Sequence, residues 1–239
     1  MSQDFTAVRL FVCADLPGPI ALDAAQVNYL RNALRLGPGA TFLAFNGRDG
    51  EWRATIAELR KGAGTANAEE RTRPQTAPPT LAYAFAPLKQ ARLDYMVQKA
   101  TEMGAGRLVP VLTQHGQVRR INRDRMRANA VEACEQCGIL SVPAVEDPVP
   151  LATFMGTWEG KLVVADEALV GTAIDPVATI RAAGTPLAVL VGPEGGFSQD
   201  ERERFSKRAV GVSLGPRILR ADTAAVALLA LVEAAFPTT

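Results

Sequence analysis

The sequence predicts an α/β protein, with a mostly parallel sheet covered by helices and preceded by a small strand-rich domain. Two observations predict this class. From residue 81 onward, short apolar runs alternate with segments of helical period, which is typical of a parallel sheet with helices on both faces. Before that point, short strand candidates surround a glycine-containing loop. At 239 residues the chain is long enough for two domains, which we place at 1–72 and 73–239.

The first domain opens with a short strand at 9–12. Asp23 and Gln26 have the spacing of a capping box, so a helix is expected to begin there and to end at the glycines of 37–39. Strands at 41–45 and 52–56 flank a hairpin loop at 46–50. The polar, proline-rich stretch 69–80 is interpreted as a linker.

The second domain begins with a strand at 81–86, a helix from Gln90 and a strand at 107–112. An apolar run at 187–191 predicts a buried strand, and the glycine-rich stretch Gly192–Phe197 predicts a turn after it. Ser198 and Glu201 then form a second capping-box pattern.

A second strand–turn–helix unit follows the first. An apolar piece at 210–214 leads through 215–220 into an apolar helix at 224–236. In an open α/β sheet, ligands bind at the carboxyl ends of the strands. The two turns therefore mark the expected binding site.

Composition limits the class of protein. Apolar residues make up 48% and charged residues 21%, as in soluble globular proteins. No apolar run reaches the roughly 20 residues that span a bilayer, and the N-terminus lacks a signal-peptide pattern. Three cysteines suit a reducing cytoplasm, so we expect a cytoplasmic protein without a membrane partner. The net charge of +1 means that any nucleic-acid site must be a local patch.

Two motifs are weak candidates for chemistry. Cys134 and Cys137 match C-x-x-C, but only Cys13 and His115 remain as further ligands of the usual zinc-binding types, so we expect no metal and assign both cysteines to packing. His115, the only histidine, is a candidate general base, but we interpret it as an incidental loop residue. The turn at 192–196 matches neither a Walker loop nor a dinucleotide fingerprint.

The stretches GPEGGFSQDE and VSLGPRILRADTAAVALLAL resemble the signature of RsmE-type 16S rRNA uridine-N3 methyltransferases, a branch of the SPOUT methyltransferases. PLKQARLDYMVQKATEMGA is similar to the family's strand-to-helix segment. The resemblance implies a PUA-like β-barrel followed by a SPOUT-type parallel sheet with a C-terminal trefoil knot. It also implies a homodimer that uses S-adenosyl-L-methionine, without metal, on small-subunit rRNA, either naked or in the ribosomal particle.

The resemblance also implies site residues. The cofactor-binding set is Gly192, Pro193, Glu194, Gly195, Gly196, Leu214, Gly215, Ile218, Leu219 and Thr223. Arg220 is the candidate that stabilises charge on a uracil oxygen, and Asp222 is either the base or an N-cap. The family more often has Glu preceded by Thr where this chain has Asp222 and Ala221. In the family's EQxGR element, Ile139 stands where Arg is expected.

RNA contacts are predicted for a set of basic residues. The clearest basic cluster runs from Arg119 to Arg127, opposed locally only by Asp124. The RNA-binding set is Arg9, Arg31, Arg35, Lys89, Arg119, Arg120 and Arg217. The alternative for these residues is a solvated surface that touches no RNA.

Three other functions remain open on the sequence. One is a related SPOUT enzyme with another rRNA or tRNA target, because the motifs do not fix the RNA. Another is a non-catalytic RNA-binding protein of ribosome assembly that keeps the fold. The third is a nucleotide-binding α/β protein, against which the missing phosphate-loop lysine argues.

Overall fold

The computed structural model describes residues 7–118, 120–172 and 174–237. The chain divides into two compact units. The first extends to Pro78 and also includes Val131–Val142, and the second comprises Pro79–Ala130 and the chain from Pro143 onward. No sequence pattern indicated that a later segment belongs to the first unit.

A five-stranded sheet forms the first unit, in the order β1-β3-β4-β5-β2. Its strands are β1 (Arg9–Phe11), β2 (Gly18–Leu22), β3 (Thr41–Phe45), β4 (Glu51–Arg60) and β5 (Ala63–Arg73). β1 pairs parallel with β3, and the other pairs are antiparallel. Helix α1 (Ala24–Asn28) continues as a π-helix at Tyr29–Ala33, and the two bury Val27 and Leu30 against the sheet.

Two local predictions for this unit are confirmed. Asp23 Oδ1 accepts a hydrogen bond from the Gln26 N–H at 2.8 Å, and Gln26 Oε1 accepts one from the Asp23 N–H at 3.0 Å. β3 and β4 form an antiparallel hairpin around the predicted loop. In that loop Asn46 Oδ1 accepts from the N–H groups of Arg48 and Asp49, both at 3.0 Å.

The linker prediction for residues 69–80 is wrong over its first part, because β5 continues to Arg73. There Arg71 pairs with Trp52, and Arg73 pairs with Glu51. The backbone of this segment bonds to β4 while several of its charged side chains face solvent. A strand with a polar exposed face has the composition of a loop, and that explains the error.

The prediction that Arg9 contacts RNA is also wrong, because Arg9 is only 4% exposed. Its Nε donates to Glu51 Oε2 at 3.0 Å. Glu51 is 2% exposed and receives further hydrogen bonds from Arg73 and Thr72. A guanidinium enclosed in this network cannot reach a phosphate of RNA.

The second unit contains the predicted parallel sheet, in the order β12-β10-β11-β6-β7-β8, with β9 also beside β7. All its strand pairs are parallel. The strands are β6 (Ala82–Phe85), β7 (Arg107–Leu112), β8 (Ala144–Val145), β9 (Val149–Pro150), β10 (Lys161–Ala165), β11 (Leu187–Val191) and β12 (Ala209–Val212). The helices are α2 (Gln90–Glu102), α3 (Arg123–Cys137), α4 (Leu151–Thr157), α5 (Pro176–Ala183), α6 (Gln199–Phe205) and α7 (Ala221–Ala235).

Helices cover both faces of this sheet, as predicted. Successive residues of a strand face opposite sides of the sheet. Because β6 and β11 are buried along their whole length, both faces must be covered. Ala82 and Ala84 pack with Phe154 of α4 and Phe205 of α6. On the other face, the Tyr83 hydroxyl lies 3.8 Å from the sulfur of Met96 in α2. The carboxyl ends of the parallel strands therefore emerge together at one edge.

The predicted positions of the last two elements shift slightly. β12 spans Ala209–Val212, and α7 begins at Ala221 instead of residue 224. α7 packs against α2, α5 and β11. Within the described residues, no helix combines the length and the apolar character needed to span a membrane.

Candidate functional site

The turn after β11 depends on glycines. Gly196 has a φ of 68°, a left-handed conformation that favours glycine, and its N–H donates to Pro193 O at 2.9 Å. A Cβ on Gly192 would lie 2.8 Å from the Phe197 ring. Helix α6 then begins with the predicted capping box of Ser198 and Glu201, which is confirmed. The turn is thus fixed at both ends and exposes its backbone between them.

A cavity of about 650 Å³ lies between this turn and the start of α7. Among its lining residues, Ala165 and Val191 end β10 and β11, so the cavity opens at the carboxyl edge of the sheet. It brings together the predicted residues Gly192, Pro193, Glu194, Gly195, Gly196, Ile218, Leu219 and Arg220. Ligand pockets commonly measure about 300–1,000 Å³, so the size suits a nucleoside cofactor.

A smaller cavity of about 60 Å³ adjoins the first and is lined by Leu214 and Arg217. The two share Ala165, Glu167, Ile218, Leu219 and Ala224. Gly215, Asp222 and Thr223 line neither of these two cavities. Most of the predicted cofactor set therefore gathers in one place, and these three residues stand beside it.

The two residues predicted for catalysis differ in their surroundings. Arg220 is exposed, and its guanidinium has no hydrogen bond or ion pair with any described residue. Asp222 is half-buried, its Oδ1 accepts from the Thr223 N–H at 2.9 Å, and its Oδ2 lies 3.7 Å from Arg92 Nε. The N-cap of α7 is Arg220, so the alternative interpretation of Asp222 as the N-cap is wrong.

Arg92 of α2 is a site residue that no local pattern in the sequence singles out. It forms an ion pair with Glu194 of the glycine turn and lies close to Asp222 of α7. It also lines the large cavity. Three segments that are far apart in the chain therefore meet at one guanidinium. The sequence analysis did not identify it, and its place within the family-like segment PLKQARLDY is the signal that could have found it.

His115 lies in an exposed loop, as expected, and it also contacts the glycine turn. His115 Nδ1 lies 3.2 Å from the carbonyl oxygens of both Gly195 and Gly196. Because a carbonyl oxygen only accepts, Nδ1 carries a proton in this arrangement. The neighbouring Gln114 N–H donates to Glu201 Oε1 at 2.8 Å. The loop after β7 is thus attached both to the glycine turn and to the start of α6.

The basic cluster is more neutralised than its local sequence predicts. Arg123 pairs with Asp147 at 2.6 Å, and Arg125 pairs with Asp94 at 2.7 Å. The hydrogen bond from Arg125 holds the pKa of Asp94 below its ordinary value. Asp124 is the only acid within the cluster's own stretch of sequence, and the fold adds Asp94 and Asp147 from other segments. Arg120 is exposed, and Arg119 lies outside the described residues.

The other cations predicted to contact RNA lie at the surface. Arg31 and Arg35 are exposed in the first unit, and Lys89 and Arg217 are exposed in the second. Apart from Arg9, exposure therefore leaves each described member of the set accessible to a phosphate group.

The cysteines separate into two environments. Cys134 is buried with Phe45 and Leu140, and burial raises the pKa of its thiol to about 12. Cys137 is exposed, so the packing prediction is confirmed for Cys134 and wrong for Cys137. Within the described ranges, no group of three or more His, Cys, Asp or Glu side chains is placed to hold a metal ion.

Known proteins are similar to this chain in sequence and in fold. The RNA methyltransferase domain family matches residues 75–233, and the RNA methyltransferase PUA domain family matches 22–68. The ribosomal RNA small subunit methyltransferase E of Rickettsia conorii is 30% identical over 87% of this chain and 86% of its own length. That of Synechocystis is 31% identical over 95% of this chain and 78% of its own length.

Two solved structures are also similar. The small subunit methyltransferase E of Neisseria gonorrhoeae, bound to S-adenosyl methionine, has a TM-score of 0.83 and 26% identity over 95% of this chain and 97% of its own. A methyltransferase of Legionella pneumophila, in complex with the cofactor SAM, has a TM-score of 0.81 and 28% identity over 96% and 98%. The α/β fold with a PUA-like first domain is confirmed, while the knot stays a prediction. The chain belongs to the ribosomal RNA small subunit methyltransferase E family.

Proposed function

We propose that this protein transfers a methyl group from S-adenosylmethionine to N3 of a uridine in small-subunit rRNA. The observation that carries the proposal is the cavity of about 650 Å³ in which the glycine turn meets the stretch 218–220. The family membership of the chain supports it, as do the cofactor-bound relatives from Neisseria and Legionella.

The lining of the cavity fits the proposed cofactor. Glu167 and Glu194 supply carboxylates, which suit a ligand that carries a sulfonium and an ammonium group. Val191, Ile218 and Leu219 supply apolar surface for the faces of an adenine. The glycine turn presents backbone groups that can pair with the polar edge of the base. We assign the cofactor to Gly192–Gly196, Ile218 and Leu219, with Leu214, Gly215 and Thr223 beside them.

The cofactor supplies an electrophilic methyl group on its sulfonium. Positioning is the main task of the protein, because the transfer is a direct displacement. Arg220 has an uncommitted guanidinium at the cavity, suited to the negative charge that develops on a uracil oxygen as the N3 proton leaves. Asp222 is the proposed base. The uridine must be unpaired or flipped, because pairing hides its N3.

RNA is the proposed partner of both units. Arg31 and Arg35 would serve in the PUA-like domain, predicted at residues 1–72, and Lys89, Arg120 and Arg217 in the methyltransferase domain. Each of these five is exposed, and phosphate neutralisation by exposed cations drives RNA affinity. Arg119 remains a sequence-based prediction for the same role.

A second copy of the chain is the other proposed partner. Helix α7 leaves apolar surface at the partly exposed Val226 and Leu231 and at the exposed Ala230 and Ala234. Such a surface suits the self-complementary interface of a two-fold dimer. The proposed location is the cytoplasm, where small-subunit rRNA is available as substrate.

The test combines calorimetric titration of S-adenosylmethionine with methyl transfer to a 16S rRNA transcript, analysed by mass spectrometry of the nucleosides. We expect saturable binding and N3-methyluridine from the wild type. Gly195→Val should lose binding, because even a single Cβ added there would lie 3.3 Å from His115 Cβ. Arg220→Ala should bind the cofactor but transfer methyl groups about 10²- to 10³-fold more slowly.

Three outcomes would contradict the proposal. Binding of ATP or NAD by folded wild type that does not bind S-adenosylmethionine would favour a nucleotide-binding protein. Cofactor binding with a different methylated nucleoside would place the protein with a related enzyme of another specificity. RNA binding without cofactor binding or methyl transfer would favour a ribosome-assembly factor.

A further inference from the structure

A separate cavity of about 200 Å³ borders the glycine turn. It is lined by Pro87, Leu88, Lys89, Arg92, His115, Gln117, Pro193, Glu194 and Gly195. It shares Arg92 and the stretch Pro193–Gly195 with the proposed cofactor cavity. A ligand here would therefore lie next to the reaction site without occupying the cofactor's place.

The polar groups of this cavity are mainly donors. Lys89 has no ion-pair partner among the described residues. The side-chain amide of Gln117 likewise has no hydrogen bond with any of them. Arg92 is offset by its ion pair with Glu194. One cation thus remains uncompensated, beside an amide that can donate two hydrogen bonds.

His115 adds a directed nitrogen. Its Nδ1 faces the carbonyl oxygens of Gly195 and Gly196, so Nε2 is left for a ligand, and with the proton on Nδ1 it offers a lone pair that accepts a hydrogen bond from a hydroxyl group. The same hydrogen bonds hold the imidazole against the turn. A histidine fixed in this way can meet a ligand without first losing much rotamer freedom.

The size of the cavity and the cations that follow it along the chain indicate which class of ligand it binds. A cavity of about 200 Å³ lies below the roughly 300–1,000 Å³ of drug-sized ligand pockets, so it suits a small charged group. Three residues after Gln117 the chain reaches Arg120, which is exposed and has no ion pair with any described residue. Cationic and donor groups therefore continue from the cavity along the chain, as a nucleic-acid backbone requires.

We propose that the cavity bounded by Lys89, His115 and Gln117 binds a phosphodiester of the substrate RNA next to the nucleotide that is methylated. The inference rests on the proposed function and specifies how the RNA strand is held there. A phosphodiester carries one negative charge and only accepts hydrogen bonds, which matches the uncompensated Lys89 and the amide N–H groups of Gln117, while the adjacent ribose 2′-hydroxyl can donate to His115 Nε2.

The test measures binding of a 16S rRNA transcript to the full-length protein over a range of salt concentrations. In Lys89→Gln we expect the slope of log Kd against log salt to fall by about 0.7, the value for one lost phosphate contact on a single strand. Gln117→Ala should weaken binding about 3- to 10-fold with the slope unchanged, because a neutral donor releases no counterions. Lys161→Gln is the matched control, since Lys161 is exposed at the amino end of β10, away from the carboxyl edge.

Calorimetry with S-adenosylmethionine accompanies each variant and should give wild-type affinity, which shows that folding and the cofactor site are intact. An unchanged salt slope in Lys89→Gln would overturn the phosphodiester assignment. Inorganic phosphate could bind the wild type but not Lys89→Gln while the salt slope of RNA binding stays unchanged. That result would show a site for a free anion and would also overturn the phosphodiester assignment. Wild-type protein that binds neither cofactor nor RNA would instead refute the proposed function, and the subsite with it.

Discussion

Each unit contains an arginine–glutamate network, and the two networks differ in burial. In the first unit, the side chains of Arg9 and Glu51 are 2% and 3% exposed. In the second, those of Arg92 and Glu194 are 36% and 50% exposed. The residue types are the same, so the difference between the networks lies in their access to water.

The exposure of each network to water determines whether it contributes to stability. Glu51 receives hydrogen bonds from Arg9, Arg73 and Thr72, so both of its oxygens are satisfied without solvent. Removing one partner of a buried pair leaves an uncompensated charge, whereas an exposed pair contributes about 0–1 kcal/mol. The first network therefore stabilises the folded state of the first unit. The second has little effect on stability, and its position between the glycine turn and α7 gives it a positioning role.

Glu51→Ala should have the largest effect, because it leaves Arg9 buried without its carboxylate. We expect the free energy of unfolding to fall by about 3–5 kcal/mol, measured by chemical denaturation. A loss below about 1 kcal/mol would show that water enters the site and that the two networks are alike.

Arg92→Ala should affect the reaction more than the fold. Without this guanidinium, Glu194 and Asp222 lose their common partner, and we expect kcat to fall roughly 10- to 100-fold through misplacement. The free energy of unfolding should change by less than about 1 kcal/mol. Arg92→Lys should recover only part of the rate, because an ammonium lacks the planar fork of donors.

Arg204→Ala, which removes an exposed arginine of α6, is the control for Arg92. Its rate should match that of the wild type. If Arg92→Ala instead lowered stability by several kcal/mol with kcat unchanged, the second network would be a structural device like the first.

Acid should weaken the first network progressively. Burial raises the pKa of Glu51, but hydrogen bonds from Arg73, Thr72 and Arg9 outweigh it, and the pKa is lowered below its ordinary value. A lowered pKa stabilises the folded state above the unfolded value of about 4.3, and this stabilisation is lost as the pH falls through the folded value. The stability difference between wild type and Glu51→Gln should therefore shrink below about pH 4.3, as followed by denaturation at each pH. A constant difference would exclude this linkage.

Glu70→Ala should have the smallest effect. It breaks the ion pair with Arg53, whose side chain is 52% exposed, while that of Glu70 is 63% exposed. We expect a change below about 1 kcal/mol in the free energy of unfolding. A loss comparable to that of Glu51→Ala would mean that burial is not what separates strong from weak pairs in this unit.

Local patterns predicted the features that depend on neighbours in the chain. The capping boxes of Asp23 and Ser198, the strand Leu187–Val191 and the glycine turn after it all match the structure. Each involves only a few consecutive residues, whose hydrogen bonding and backbone freedom are written in their types. The resemblance to a known family then identified most residues of the large cavity.

Local patterns did not predict contacts between segments that are distant in the chain. Arg9 looked like a surface cation until β3 and β4 brought Glu51 beside it. His115 gained its partners only because β7 and β11 end at the same edge of one sheet.

The sequence by itself therefore determined the class of fold, the turns and caps, and the chemical types available at the site. The tertiary structure decided which charges are buried and which remain free to meet a ligand. The physical reason is that the strength of a charge's interactions depends on how much water and which partners surround it. Those partners come from segments far apart in the chain: Arg92 and Glu194, which form an ion pair, are 102 residues apart.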